Sequence, residues 1–470
     1  MRASYIALAA AAALLSGCAI GPNYKRPNVA VPTNFRATAP LDAHEAASLA
    51  DLKWFEVFQD EQLQGLVRTA LAQNYDLRDA VARVEEARAN LGVTRSNQVP
   101  QVSASNTLEI TRLSRDGSFP LPASFVSEQN RNWNQTGLNL LSFELDIWGR
   151  LRRSTEAARA NLLSAEWNQK AVVSTLVSQV ATAYFQLLEL DAELEVSQRT
   201  LETRRESLQL VQSRQRGGVA TLLDLRQAEQ LVDSAAATIP TIQQQIEQTE
   251  NQISLLLGKG PQGIERRRSL EQASLPPEVP AGLPSTLLER RPDVHAAEQA
   301  LVAANANIGV AKAAYFPQIS LTGLIGGQSS SLANLFSGPN RAWTFVPQTT
   351  QPLFAGGRLK SNVRMAEAER DQAQIAYEKS VQTAFKEVSD ALIAHDRTRE
   401  SRVQQENLAA ALEDRKRLAY VRYRGGVDTQ LNALDADRDL YQAELGLAQI
   451  RYAELVSVVQ LYKALGGGWE

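Results

Sequence analysis

The feature that most constrains this chain is that it is written twice. Residues Asp76 to Gln101 match Asp293 to Gln318 at a constant offset (293 − 76 = 217), pairing Ala89-Asn90-Leu91-Gly92-Val93 with Ala306-Asn307-Ile308-Gly309-Val310. Further on, Gly149-Arg150-Leu151 pairs with Gly357-Arg358-Leu359, and Arg216-Gly217-Gly218-Val219 with Arg424-Gly425-Gly426-Val427, both at an offset of 357 − 149 = 208. A unit of about 200 residues is far longer than a solenoid repeat. Two tandem copies of a large supersecondary unit predict a pseudo-symmetric wall or tube.

Each copy contains one very long helical stretch. No proline or glycine falls between Arg150 and Arg216, and at 1.5 Å per residue such a run makes a rod of about 100 Å. Leu187, Leu194, Leu201 and Leu208 recur at sevens, with Val173, Val177, Val180 and Tyr184 stepping by four and three, which is coiled-coil spacing. Val381, Phe385, Val388 and Leu392 repeat it in the second copy. After Gly217-Gly218 a return helix carries Val232, Ile239, Ile246 and Ile253, with a kink or break expected at Pro240. After Gly425-Gly426 the second return helix carries Leu434, Tyr441, Ala448, Leu455 and Tyr462. Helices this long and narrowly striped pack side by side rather than around one globular core.

Strand signals precede each outgoing helix. From Gln101 to Arg112, Val102, Ala104, Leu108 and Ile110 alternate with Ser103, Ser105, Thr107, Glu109 and Thr111, apolar on one face and polar on the other. Trp133 to Trp148 shifts phase between Leu140 and Leu141, which predicts a bulge or the exit from a membrane band. The second copy offers Ile319 and Leu321 opposite Ser320 and Thr322, then Trp343 to Phe354, interrupted by Pro347 and Pro352. Four strands cannot close a membrane barrel, whose smallest form has about eight, and open strand edges are not tolerated in lipid. An obligate oligomer is therefore expected. Two copies give eight strands and a filled interior, three give twelve and room for a lumen, and a pore favours the trimer.

The N-terminus carries Arg2 and an apolar run from Tyr5 to Leu15, too short to span a bilayer and typical of a secretory signal. It ends in Leu15-Ser16-Gly17-Cys18, which resembles a bacterial lipobox and implies cleavage after Gly17 and a covalent lipid on Cys18. Ala19 rather than Asp follows, which by resemblance to bacterial sorting rules favours the outer membrane. Cys18 is the only cysteine, so no disulfide is available. No run of about 18 apolar residues follows the signal, so strands are expected to do any spanning. Lys and Arg total 49 against 52 acids, a balance that argues against nucleic acid as a partner.

These signals divide the chain into a signal peptide (1–17), a lipidated arm (18–60), repeat 1 (61–257), a linker (258–284), repeat 2 (285–465) and a tail (466–470). Repeat 1 is expected to hold strands at about 101–114 and 131–148 and a helical hairpin at about 150–257. Repeat 2 is expected to hold strands at about 317–328 and 341–356 and a hairpin at about 358–465.

Five motifs in order, Glu289-Arg290-Arg291-Pro292-Asp293-Val294, Phe316-Pro317-Gln318-Ile319-Ser320-Leu321, Phe354-Ala355-Gly356-Gly357-Arg358, Tyr423-Arg424-Gly425-Gly426-Val427 and Leu461-Tyr462-Lys463-Ala464-Leu465-Gly466-Gly467-Gly468-Trp469, carry a resemblance. The chain resembles the TolC-like outer-membrane factors, in their lipoprotein branch, from Cys18 to Trp469. The resemblance implies a trimer, with a membrane β-barrel of twelve strands continuing into an α-helical coiled-coil tunnel of twelve helices. It implies a passive exit duct for small molecules, lipid-anchored in the outer membrane and reaching into the periplasm, with a periplasmic adaptor and an inner-membrane RND-type transporter as partners.

The family's periplasmic constriction lies near the hairpin turns, and the matching positions here are Tyr423, Leu431, Asp435 and Arg438. Leu431 and Asp435 are one helical turn apart on one face. Near a three-fold axis Asp435 would form a ring of carboxylates that needs counter-charges such as Arg438 or Arg422, or a bound cation. Read without the resemblance, Asp435 is one acid of a solvated face with Asp437 and Asp439. Its repeat partner is Gln227 (435 − 208), so the two hairpins are not electrically equivalent. The tips at Arg216, Gly217, Gly218, Arg424, Gly425 and Gly426 are expected to be tight turns needing positive φ, and by resemblance they also dock the adaptor's helical hairpin.

No catalytic or metal constellation is present in the sequence: His44, His295 and His395 lie far apart, and no cofactor is expected beyond the lipid. Glu289 to Asp293 reads as a charged helix start with Pro292 in its first turn. The outer channel of a type I secretion system shares the fold and stands as an alternative. So does a coiled-coil spacer lipoprotein, although that predicts no amphipathic strands. Met365 is the only methionine besides Met1, so no methionine-lined copper(I) path exists.

Overall fold

A computed structural model describes residues 19–33, 35–36, 48–112, 130–273 and 284–469. The signal peptide, Cys18 and His44 lie outside the described residues. The helices are α1 (Trp54–Val57), α2 (Glu61–Gln73), α3 (Tyr75–Ser96), α4 (Arg150–Arg216), α5 (Leu222–Leu256), α6 (Pro284–Arg290), α7 (Pro292–Ala313), α8 (Arg358–Arg424) and α9 (Gln430–Ala464). The strands are β1 (Val102–Arg112), β2 (Asn130–Glu144), β3 (Gln318–Ser329) and β4 (Arg341–Thr350). Two compact units cut across the sequence repeats, because each takes elements from both copies. One draws on Met1–Pro27, Val84–Ser164 and Ala297–Tyr377, the other on Asn28–Arg83, Ala165–Ala296 and Glu378–Glu470.

The first unit holds an antiparallel sheet of order β1-β2-β3-β4. Its register puts Val102, Leu140, Gly323 and Phe345 in one row and Ala104, Leu138, Ile325 and Trp343 in the next, all on one face. Ser103, Asn139, Leu324 and Thr344 share a row on the other face, followed by Ser105 and Gly137. Leu138, Ile325, Trp343 and Phe345 are all exposed in the single chain. The expected phase shift is a register irregularity between Leu140 and Phe143. Pro347 stands opposite Leu321 in β4, the edge strand of the sheet in the single chain. β2 stops at Glu144, earlier than the spacing suggests, because Asp146 turns to cap α4: its two carboxylate oxygens accept from Leu151 N and Arg152 N, both at 2.9 Å.

In the same unit α7 packs on the start of α4 through Ala157, Ala160, Ala303 and Ala306, small residues that let the helices approach closely. Trp148, at the junction of β2 and α4, donates from Nε1 to Pro317 O (2.8 Å) and lies 4.8 Å from the Phe316 ring. The repeat partners of these residues have no such cover in the chain. Ala89 (306 − 217) and Met365 (157 + 208) are exposed, as are Val93 and Val99 on the α3 side and Leu353 and Phe354 at the junction of β4 and α8. Each seam between repeats is thus made once and left open once.

The stretch 19–27 is strapped along α7. Arg153, 4% exposed, donates to Ile20 O, Gly21 O and Asn23 Oδ1, while Asn305 Nδ2 donates to Pro22 O and Arg26 pairs with Glu298 at 2.6 Å.

The second unit contains the tips and return helices of both hairpins. All five residues of the expected α9 stripe are buried, from Leu434 to Tyr462. On α5 the buried seam runs through Ala228, Ala235, Ile242 and Ile253, whereas Val232 and Ile239 are only half-buried, so the first half of the stripe faces slightly differently from the expectation. Of the kink or break expected at Pro240, the break does not occur: α5 is continuous through it, and the ring sits at an exposed position where the carbonyl it strands is open to solvent. A window of α4 is apolar enough for a membrane span by composition, and most of it is buried inside the protein, as in a core helix.

The return helices end in the same joint, built twice. Gly258 and Gly466 (258 + 208) both take positive φ, 68° and 87°. A Cβ on the first would meet Gln73 O at 2.4 Å and on the second the Arg290 backbone at 3.1 Å, and those two residues are themselves repeat partners (290 − 73 = 217). The following residue closes each joint: Asn74 Nδ2 donates to Leu256 O (2.9 Å) and Arg291 Nη1 to Ala464 O (3.0 Å), satisfying last-turn carbonyls that the helix leaves open. The motif around Arg291 is therefore a buried hub as well as a helix start. Arg291 also holds Asp293 through two bonds (2.9 and 2.6 Å) and pairs with Glu387 at 2.7 Å. Burial pushes the Asp293 carboxyl up, but the Arg291 bonds outweigh it and hold the group below the usual carboxylate range.

Candidate functional site: the hairpin tips and the α9 face

Both tips are Schellman turns with matching bonds. Gly218 N donates to Gln215 O and Val219 N to Arg214 O; in the second copy Gly426 N donates to Tyr423 O and Val427 N to Arg422 O, all between 2.9 and 3.1 Å. Only the second glycine of each pair is left-handed, at 74° in both tips. Gly217 and Gly425 precede it without positive φ, so the expectation for paired glycines holds for one of each pair. The next helix is then capped by Thr221 or Thr429, repeat partners again. Arg216 and Arg424 are exposed.

The tips are braced against each other by Tyr423. It is 6% exposed, its ring lies 4.5 Å from the Arg214 guanidinium, and its hydroxyl donates to Gln430 Oε1 (3.4 Å). Gln430 in turn donates to Asp224 O at 3.0 Å on α5. Leu431 is 51% exposed, and Asp435 is half-buried one turn further along α9. Of the two candidate counter-charges, Arg438 pairs with Asp435 at 3.1 Å, whereas Arg422 pairs with Asp428 at 3.0 Å. The Asp428 carboxyl lies below its usual range because of its bonds to Arg422 and Asn432.

The grouping of Asp435, Asp437 and Asp439 as one solvated face is wrong for Asp437. Its side chain is 1% exposed, bonded by Arg204 Nε on α4 (2.7 Å) and paired with Lys416 Nζ on α8 (2.7 Å). Arg204 is itself 4% exposed and donates from Nη1 to Leu231 O on α5. The signal was in the heptads. Asp437 falls three residues after Leu434 and four before Tyr441, an inward position, and Arg204 stands three after Leu201.

An amphipathic four-stranded sheet and two long helical hairpins with braced tips define the class, a component of an outer-membrane transport channel. The chain belongs to the outer membrane efflux protein family, whose profile matches residues 66–259 and 283–467. It is 38% identical over 473 residues to the probable efflux pump outer membrane protein TtgC of Pseudomonas putida, covering 100% of this chain and 96% of the relative. It is 36% identical to the cation efflux system protein CusC of Escherichia coli, covering 97% of each. Among solved structures, the open-state MtrE outer membrane channel of Neisseria gonorrhoeae superposes with a TM-score of 0.86 at 33% identity, covering 96% of this chain and 99% of that one. The protein is accordingly an outer-membrane efflux component.

Proposed function

We propose that three copies of this chain form the outer-membrane exit duct of a tripartite efflux system, passing drugs or other toxic small molecules handed over by an inner-membrane RND-type transporter and a periplasmic adaptor. The observation that carries the reading is the sheet. Its apolar rows suit lipid and its opposite face suits water, yet β1 and β4 each keep an unpaired edge. Edges in lipid must pair, and three copies of four strands (3 × 4 = 12) close a barrel wide enough for a lumen. The open seams support the same assembly: α3 exposes Ala89, the equivalent of Ala306, and α8 exposes Ala368, the equivalent of Ala160, each left without a partner in its own chain.

Leu431 and Asp435, with Arg438 as counter-charge and Tyr423 as brace, form the periplasmic gate in this reading. Arg216, Gly217, Gly218, Arg424, Gly425 and Gly426 form the adaptor-docking tips. A groove of about 990 Å³ between α4 and α8, with Leu210, Tyr420 and Leu440 on an apolar floor and Arg214, Arg424, Glu206 and Glu413 among its charged walls, gives a helical hairpin a place to lie. The lipid on Cys18 anchors the arm that the 19–27 strap holds against α7.

The test is single-channel conductance in planar bilayers for the wild type and Asp435→Ala. Small, mostly closed, cation-preferring channels that widen in the variant support the gate. An unchanged conductance removes Asp435 from it, and no channel at all removes the duct.

A further inference from the structure

The Arg204, Asp437 and Lys416 node ties together all four long helices of one chain at a single level. Arg204 reaches from α4 to Asp437 on α9 and to Leu231 O on α5, and Lys416 reaches the same carboxylate from α8. The Arg204 guanidinium also lies 5.1 Å from the Tyr441 ring, and Tyr441 shares a 3.0 Å hydrogen bond with Ser197 of α4 one turn away.

The node exists once. At the repeat offset of 208, Arg204 becomes Leu412, Lys416 becomes Leu208 and Asp437 becomes Glu229, which pairs instead with Arg226 on its own helix. A pair buried to 4% and 1% exposure is costly to desolvate. Its presence at one of two equivalent positions asks for a local reason.

The reason lies on the opposite face of α9. Two residues on a helix subtend about 200°, so the side facing away from the pinned Asp437 is the side that carries Asp435 and, a turn earlier, Leu431. We infer that Arg204 and Lys416 are positioning residues for the gate: by clamping Asp437 to α4 and α8 they fix the rotation of α9 about its axis and so aim Leu431 and Asp435. This rests on the proposed gate. Two carboxylates of one acidic run thus have separate tasks, one to be held and one to be presented.

The test uses the full-length lipoprotein in planar bilayers, with Lys416→Met, Lys416→Arg, Asp437→Asn and Asp435→Ala. Lys416→Met leaves Asp437 neutralised by Arg204, so the chain keeps its fold and assembly. Its open probability is expected to rise about tenfold as the Lys416–Asp437 ion pair is lost, and Lys416→Arg to return it to the wild-type level. Asp437→Asn is expected to rise further. Wild-type gating in Lys416→Met, with Asp435→Ala widened, overturns the positioning role and leaves the gate in place. So does failure of Lys416→Arg to rescue, or lost assembly in Asp437→Asn beside unchanged gating in Lys416→Met, which would make the node purely structural. Wild-type gating in Asp435→Ala as well removes the gate itself, and the inference with it.

Discussion

Arg291→Met is the sharpest single perturbation of the joint that closes the second return helix. The substitution keeps an unbranched apolar stem but removes the donor to Ala464 O and the fork that holds Asp293 and Glu387. A charged hydrogen bond to a buried carbonyl contributes about 1.5–3 kcal/mol. The two carboxylates add less, about 0.2–1 kcal/mol each, because Asp293 is 41% and Glu387 44% exposed and water can replace the lost partner. The sum is about 3 kcal/mol, which is about a hundredfold in a local opening equilibrium at 1.4 kcal/mol per tenfold. Hydrogen exchange read on the end of α9 should therefore speed up by about two orders of magnitude. The repeat supplies an internal control. Asn74→Ala removes a neutral bond to Leu256 O, worth about 1 kcal/mol, and should speed exchange at the end of α5 only about fivefold. Equal effects in the two copies, or none in Arg291→Met, would refute the reasoning.

Three further outcomes are expected. Burial, and then the neighbouring Glu193 carboxylate, push the Glu189 carboxyl up from 4.5 to about 7; the charged form is disfavoured in the folded state, so the group costs stability increasingly as pH rises from its unfolded value to about 7. Glu189→Gln should raise the melting temperature at pH 8 and leave it unchanged at pH 4, and a gain equal at both would contradict the assignment. Ile325→Lys, on the apolar face of the sheet, should cost about 2–4 kcal/mol of barrel stability if that face meets mid-bilayer lipid, whereas Thr344→Lys on the opposite face should insert normally; urea titration in liposomes separates them. Arg153→Met should free the strap that its guanidinium holds by three acceptors, seen as new protease cleavage within 20–30 in folded protein, and an uncut strap would show that Asn305 and Glu298 suffice.

Much of the fold was legible because its signals are local and periodic. The absence of glycine and proline from 150 to 216 and the sevens of Leu434 to Tyr462 gave helices that the structure bears out. The shift after Leu140 located the sheet irregularity. Strand ends were less legible, since Asp146 reads as a strand residue until it is seen capping α4. Pro240 does not break its helix because the cost of a proline depends on which face it occupies, and this one is exposed. Among the tip residues, Arg216, Arg424 and the glycines were visible through the repeat, whereas Tyr423, whose repeat partner is Gln215, entered only through the resemblance. Asp437 was hidden by its company: beside Asp435 and Asp439 it looks like surface, and only its partners on two other helices reveal it as core.

The seams made once within the chain and once left open have a genetic consequence. They are two different surfaces, so in the proposed trimer copies would join head to tail. A chain spoiled at Phe354 alone keeps a sound α3 face, and one spoiled at Val93 alone keeps a sound α8 face. Either can still enter a growing ring through its intact side and then block the final joint. In a cell expressing both alleles, such a defect would act dominantly, poisoning the intact subunits it joins, whereas a chain ruined on both sides would be excluded and behave as recessive.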